Sequence, residues 1–339
     1  MSAIGFVAIG RNEGERLKLC LRSLCGESPR VVFVDSGSTD GSAEFARSLG
    51  VEVLALDTSS AFTMSRARNS GWKWLLEKWP ETQLVHFVDG DCELVDGWVD
   101  AAAEFLASHP QVAAVCGRRR ERFPEKSVFN RLCETEWNTP VGETKSCGGD
   151  SLIRHGALEQ AGGYNESLIA GEEPELCLRL RRAGWKIWRL DHDMTRHDAN
   201  ILRWSQWWRR NVRGGYGAAD VAVRTAAGTA NAEVLFGSQV ASAGRWVRGI
   251  AAALATSLLI AFAGFLWLGV CLALAALAAT TLQMARIARG ARLRCPDGRS
   301  AAEYGALTVL AKLPQFLGIK SFERDRRKNR EAKLIEYKS

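Results

Sequence analysis

The sequence contains no C-x-x-C pair, although it has nine cysteines. Scattered thiols of odd number in a chain of 339 residues exclude a small disulfide-framed domain and a Cys-rich zinc module. They read as free thiols of a reducing compartment. The opening "MSAIGFVAIGRNE" lacks a charged leader, a long apolar core and a cleavage site, so no secretory signal is expected. Internal repeats and low-complexity tracts are also missing. The most informative absence is one of charge. Residues 249 to 285 carry no Asp, Glu, Lys or Arg over 37 consecutive positions. One bilayer crossing needs about 20 residues, so the run is too long for one helix and slightly short for two full ones with a turn. Arg245 and Arg248 precede it, and Arg286, Arg289, Arg292 and Arg294 follow. Positive flanks on both sides suit a hairpin with both ends in the cytoplasm, either spanning or re-entrant. Gly264 or Gly269 would mark its turn.

What is present supports a sizeable core, with 47% apolar residues and a net charge of +7. That surplus permits an acidic partner such as nucleotide phosphates or anionic lipid. The twelve tryptophans cluster in part, at Trp72, Trp74 and Trp79 and again at Trp204, Trp207 and Trp208. The first half alternates strand and helix signals. "IGFVAIG", "RVVFVD", "VEVLAL", "QLVHFVD" and "VAAVCGR" read as strands. "EGERLKLCLRSLC", "SAEFARSLG", "SRARNSGWKWLLEKW" and "GWVDAAAEFLASHP" read as helices between them. This alternation predicts an α/β unit with a largely parallel sheet, and ligands in such sheets bind beyond the carboxyl ends of the strands.

Three strand tips carry polar clusters. Arg11, Asn12 and Glu13 follow the first strand. Asp35, Ser36, Ser38, Thr39 and Asp40 follow the second. Asp89, Gly90 and Asp91 end "VHFVDGD". Small Gly and Ser residues let backbone N–H groups approach a ligand, and the paired aspartates offer hard oxygen donors for Mg²⁺ or Mn²⁺. Singly, an Asp-x-Asp or a "DSGSTD" turn is a common occurrence; their order and spacing are not.

From Ile4 to Tyr216 the chain resembles the family 2 glycosyltransferases of GT-A fold. "VVFVDSGSTDGS" is similar to the nucleoside-holding turn, with Ser36 where many members have a second Asp. "SRARNSGWKW" resembles the R-N-x-G helix start, with Arg68 and Asn69 facing the donor. "FVDGDCE" resembles the D-x-D motif that binds the metal and the diphosphate. "CGGDSLIRHGALEQAGGYNESLIAGEEPELCLRLRRAGW" resembles the acceptor-side segment, in which Gly148, Gly149 and Asp150 would meet the acceptor. Its "GEE" stands where the family has G-E-D, which implies Glu173 as the general base and Glu172 as the alternate. The resemblance also implies His197 as a third metal ligand beside Asp91 and Asp89, against the plainer role of a structural histidine. "QWWRR" resembles the Q-x-x-R-W motif, with Gln206, Trp207, Arg209 and Arg210 on the acceptor side and Arg210 in the Trp position. Read without the family, Trp204, Trp207, Trp208 and Asn211 share one helical face, which suits either an interfacial helix or one packed on the protein.

The expectation is thus an α/β GT-A catalytic part at 1–220, with a nucleotide-sugar half at about 1–115 and an acceptor half at about 116–220. A linker with interfacial helices at 221–248, the hydrophobic hairpin at 249–285 and a basic amphipathic tail at 286–339 would follow. The implied activity is an inverting, metal-dependent, non-processive transfer of a sugar, with UDP-sugar the favoured donor and Mn²⁺ or Mg²⁺ the cofactor. A lipid-linked acceptor of envelope or exopolysaccharide assembly comes first, and polyprenyl-phosphate sugar synthesis second. The implied partners are the donor, a lipid-linked or glycan acceptor and membrane lipid, with no nucleic acid. The implied place is the inner membrane, with the catalytic part and both termini cytoplasmic. A sugar-nucleotide pyrophosphorylase is disfavoured because "AIGRNEGERL" lacks its Gly-rich, Arg- and Lys-containing signature. A membrane-anchored, non-catalytic nucleotide-sugar binder is disfavoured because Asp89, Asp91 and Glu173 are retained.

Overall fold

Four apolar runs near the N-terminus form the parallel strands expected of them. They are β1 (Ile4–Gly10), β2 (Val31–Asp35), β3 (Glu52–Ala55) and β4 (Leu84–Asp89). Helices α1 (Glu15–Glu27), α2 (Ser42–Ser48) and α3 (Met64–Lys78) connect them. β1, β2 and β4 are buried almost throughout, as parallel strands covered on both faces must be. α3 starts at Thr63, whose hydroxyl accepts from Arg66 N, and ends at Trp79 just before Pro80. The computed structural model describes residues 3–57, 62–226, 233–330 and 335–336.

The remaining strands depart from the parallel expectation. They are β5 (Cys92–Leu94), then α4 (Trp98–Ser108) and β6 (Val112–Glu121), then α5 (Val128–Glu136), β7 (Gly142–Thr144) and β8 (Ser151–Arg154). Helices α6 (His155–Ala161) and α7 (Glu172–Arg182) precede β9 (Lys186–His197). The described strands form one sheet in the order β3-β2-β1-β4-β8-β6-β9-β5, with β7 on β9. β8 runs antiparallel to both β4 and β6, and β5 and β7 run antiparallel to β9. β8 is reached through the segment after β7 and not through a helical crossover onto β4, so it is free to enter reversed. The sheet is therefore mixed. Its order reverses at β1, which has β2 on one side and β4 on the other, and the tips of these strands make the crevice where ligands bind in such sheets.

The chain forms two compact units. One comprises Met1–Pro124 and Glu136–Asn200. The other includes Glu125–Thr135 and Ile201–Glu331, so residues 201–220, expected with the catalytic part, belong to it. Its helices are most of α5, then α8 (Trp204–Ala226), α9 (Gly237–Phe262), α10 (Leu266–Ala291), α11 (Gly298–Leu310) and α12 (Lys312–Arg327). The expected linker at 221–248 holds the end of α8 and the start of α9; residues 227–232 within it lie outside the described residues.

α9 and α10 exceed the uncharged run at both ends, which is why two full helices fit. Each has 26 residues and only 6% of its most apolar window is buried. At 1.5 Å per residue each is about 39 Å long, enough to cross a bilayer. Gly264 lies in the turn between them, and Ser257 Oγ donates to Gly269 O at 2.6 Å across the hairpin. Phe262, Trp267, Leu259 and Leu282 are exposed on it at 69% or more.

α8 and α12 run in the same direction and meet backbone to backbone. A Cβ on Gly215 would strike Gln315, and one on Gly318 would strike Val212 and Tyr216. Only glycine lets the two helices approach this closely.

Candidate functional site

The tips of β1 and β2 are tied to each other by their own polar residues. Asn12 has φ 54°, a left-handed conformation that asparagine tolerates. Its N–H donates to Ser38 Oγ at 3.0 Å, and its Oδ1 accepts from Thr39 N at 2.8 Å. The Asp35 carboxylate accepts from Ser38 N at 3.1 and 3.2 Å, and Ser36 N donates to Gly10 O. Glu13 pairs with Arg16, and Arg11 is exposed. Burial opposes charge on Asp40, but hydrogen bonds from Ser42 and Gly14 prevail and hold its carboxyl below the usual range. Gly90 N donates to Ile9 O at 2.8 Å, so the tip of β4 closes on β1.

Beside this cleft lies a buried chain of charges. Arg68, 1% exposed, donates to Asp89 Oδ1 at 2.7 Å and to Glu172 Oε1 at 2.9 Å. Arg119 reaches Asp89 Oδ2 at 3.4 Å and Asp150 Oδ2 at 2.8 Å. Burial works against charge on Arg68, but Asp89 and Glu172 outweigh it and raise its pKa. The same balance, with Asp150 the leading carboxylate, raises that of Arg119. Two guanidinium groups thus face three carboxylates. Gly149 makes the approach possible, since a Cβ there would stand 2.8 Å from Arg68 Nη2 and 2.9 Å from Asp89 Oδ2.

Asp91 and His197 come together as β5 pairs with β9. Asp91 Oδ2 is 3.2 Å from His197 Nε2. The Cys92 thiol, pushed up by burial with Asp150 adding to it, stays protonated and lies 3.6 Å from Asp91 Oδ1. Trp137 meets the His197 ring edge-on at 4.6 Å. Behind the ring, Glu121 Oε2 stands 3.7 Å from Nδ1 and accepts from Ala199 N at 3.1 Å, which fixes the loop after β9. The donors fit a divalent cation. Ligands at about 2.1 Å from such an ion lie roughly 3 Å from each other, close to the Asp91–His197 spacing. The surplus carboxylate charge around Asp89 favours a cation as well.

α7 begins with Glu172 and Glu173, both 6% exposed. Glu172 holds Arg68. Glu173 Oε1 accepts from Cys147 N at 2.5 Å and from the Cys177 thiol at 3.0 Å. The hydrogen bond with Cys147 and burial push the Cys177 thiol up.

Several expected residues have other employment. Asn69 spends its amide on Tyr164 N and O, Glu166 and Trp72, so it anchors the 164–166 loop. Asp150 is 0% exposed; its oxygens receive Asp89 N, Arg119 and Thr195 Oγ1, so it braces the tip of β4. Gln206 Oε1 accepts from Leu202 N and Arg203 N and closes the start of α8. Trp207 is 1% exposed between Phe129 and Trp204. These two are structural in the second unit, where Arg209 is exposed and Arg210 half-buried. Trp204 and Trp208 stay exposed while Trp207 is core, so the tryptophans do not form one uniform face. Gly148 lies beside Gly149 in the loop before β8. Arg119, Glu121 and Trp137 were not anticipated. The signal for the first two was "GRRRE", a cationic run closed by an acid at the end of the apolar strand "VAAVC".

Residues 7–156 match the family model described as Glycosyl transferase family 2. The succinoglycan biosynthesis protein ExoA of Rhizobium meliloti (strain 1021) is 29% identical over 183 residues, covering 50% of this chain and 54% of that protein. Glycosyltransferase AglE of Haloferax volcanii is 25% identical over 191 residues, covering 52% and 60%. The match thus spans little more than half the length of these relatives. Among solved structures, the mannosyltransferase PcManGT from Pyrobaculum calidifontis in complex with GDP-Man and Mn²⁺ aligns with a TM-score of 0.55 at 19% identity, covering 93% of this chain and 86% of that one. At this identity the likeness speaks for the fold.

Proposed function

We propose that this chain transfers a sugar, with inversion, from a nucleotide diphosphate donor to a lipid-linked acceptor in polysaccharide assembly, a reading supported by the match of residues 7–156 to the glycosyl transferase family 2 model and by the GT-A-like fold. The observation that carries the reading is the charge chain Glu172–Arg68–Asp89 beside the Asp91–His197 pair at one sheet edge. Relatives named for succinoglycan and O-antigen chain synthesis support the polysaccharide context.

Asp91 and His197 would hold Mn²⁺ or Mg²⁺, which supplies neutralisation of the charge building on a leaving diphosphate. The loops around Asn12, Asp35 and Ser38 would receive the nucleoside, UDP being the first choice. Asp89, fixed by Arg68 and Arg119, would accept hydrogen bonds from ribose or sugar hydroxyls. Glu173 would take the proton from the acceptor hydroxyl, with Glu172 the alternate. Glu172 already neutralises Arg68, which favours Glu173. Two helices of crossing length, with arginine near the outer end of each, support a place at the inner membrane with the catalytic part cytoplasmic.

The test is a thermal-shift screen of the detergent-solubilised chain against UDP-, GDP- and dTDP-sugars with and without Mn²⁺, followed by transfer assays on lipid-linked oligosaccharide and polyprenyl phosphate. One nucleotide should raise the melting temperature only with metal present. No metal-dependent shift with any donor, together with no transfer, would refute the proposal. Transfer to polyprenyl phosphate alone would replace the acceptor.

A further inference from the structure

One loop and one face of α7 bring three potential ligand atoms together away from Asp91. Cys147 Sγ is 3.5 Å from Cys177 Sγ, and Glu173 Oε1 is 3.0 Å from Cys177 Sγ. Glu173 and Cys177 are four apart on the helix and so share a face, while Cys147 meets them from the segment before β8. All three are at most 7% exposed, and their ligand atoms lie within 4.8 Å of one another. The Tyr164 hydroxyl is buried without a hydrogen-bond partner and lies close enough to feel the charges of all three groups. It leaves an oxygen donor beside them.

We propose that Cys147, Glu173 and Cys177 form a second cation site, for a soft divalent ion such as Zn²⁺ or Cd²⁺, whose occupancy takes Glu173 out of catalysis. Two thiolates select such ions over Mg²⁺ and Mn²⁺, which prefer oxygen. Sulfur ligands at about 2.3 Å in a tetrahedron lie about 3.8 Å apart, so the sulfurs separate by a few tenths of an ångström on binding. Two metal–sulfur bonds and one metal–oxygen bond form, and the two thiol protons leave to solvent. The ion requires no change of oxidation state. Inhibition rests on the reading of Glu173 as the base; the site itself does not.

The test uses the full chain in detergent, reduced with a phosphine, in excess Mg²⁺. Cd²⁺ is added and the ultraviolet thiolate-to-cadmium charge-transfer band is followed, with bound metal counted after dialysis. The band is expected in the wild type and in Cys92→Ala, which removes the thiol beside Asp91. It should be lost, with cadmium affinity reduced more than about tenfold, in Cys177→Ser. Cys147→Ser approaches the trio from the loop and gives the same answer where Cys177→Ser fails to fold. No band in the wild type, or one that survives both serine variants, overturns the site and leaves the proposed transfer untouched. Sugar transfer should fall as the band grows. A full band without inhibition overturns the assignment of Glu173 as base and leaves the site standing.

Discussion

Arg68 and Asp89 lie 21 positions apart in the chain and 2.7 Å apart in space, with the guanidinium 1% exposed. A charge so deeply buried is stable only while both of its carboxylates stay in place. Removing it by Arg68→Ala leaves the buried Glu172 without this ion pair and Asp89 with Arg119 alone, which costs about 3–5 kcal/mol. Arg68→Lys keeps the charge but cannot span both partners, so it should fold better than the alanine variant and still lose donor binding. Denaturant melts check the order. An alanine variant as stable as the wild type would show that the pair is not buried in solution.

Replacing Asp91 by Asn removes the anionic ligand 3.2 Å from His197. Metal-stimulated turnover should vanish while the protein melts near the wild-type temperature. His197→Gln should keep turnover but raise the Mn²⁺ concentration needed by about 10–100-fold. Titrations of activity against Mn²⁺ read both, and an unchanged Asp91→Asn profile would move the metal elsewhere.

The two glutamates at the start of α7 separate by function. Glu173→Gln should lower kcat by about 10²–10⁴ with donor affinity preserved. Glu172→Gln releases one arm of Arg68, so its loss should fall on donor binding and stability. Single-turnover rates together with donor titrations divide the two, and the reverse pattern would make Glu172 the base.

Acid should destabilise the fold through His86. Burial lowers its pKa from 6.5 to about 4, partly offset by Asp150 and by the bond to Phe87 O. Trp98 Nε1 donates to Nε2 at 2.7 Å, so Nδ1 carries the proton toward Phe87 O. The unfolded chain takes up a proton near pH 6.5 and the folded chain only near 4. Stability is therefore complete above 6.5 and lost as pH falls toward 4, by on the order of 3 kcal/mol. Melting temperatures across this range should fall less steeply in His86→Phe, and identical slopes would remove His86 as the cause.

The strand tips were legible because apolar runs end abruptly in Asp35 and Asp89, and the helix ends because Gly50 and Pro80 stand where helices stop. Asp91 and His197 were expected together only through the family resemblance; in the residues themselves their meeting depends on β5 pairing antiparallel with β9, which no local pattern encodes. The same holds for Arg119 and Asp150. β8 enters the sheet reversed between β4 and β6, and that choice sets what faces Asp89. Asn69 and Gln206 belong to recognisable motifs, yet their amides satisfy backbone groups nearby, a use that composition does not distinguish from ligand binding. The hairpin was legible as a stretch without charge. Its true helix lengths were not, because Arg245, Arg248, Arg286 and Arg289 sit inside helices that continue past the apolar run.

The glycine contact between α8 and α12 has a consequence in time. Gln315 and Asn211, which meet at 3.3 Å, are 104 positions apart. At about 5–20 residues per second, a ribosome that has finished the first helix needs on the order of 5–20 s to deliver its partner. Both apolar helices emerge in that interval. If the hairpin enters a bilayer, as proposed, it does so before α8 has found the surface it is built to touch, and the last stretch of translation closes the helical unit around it.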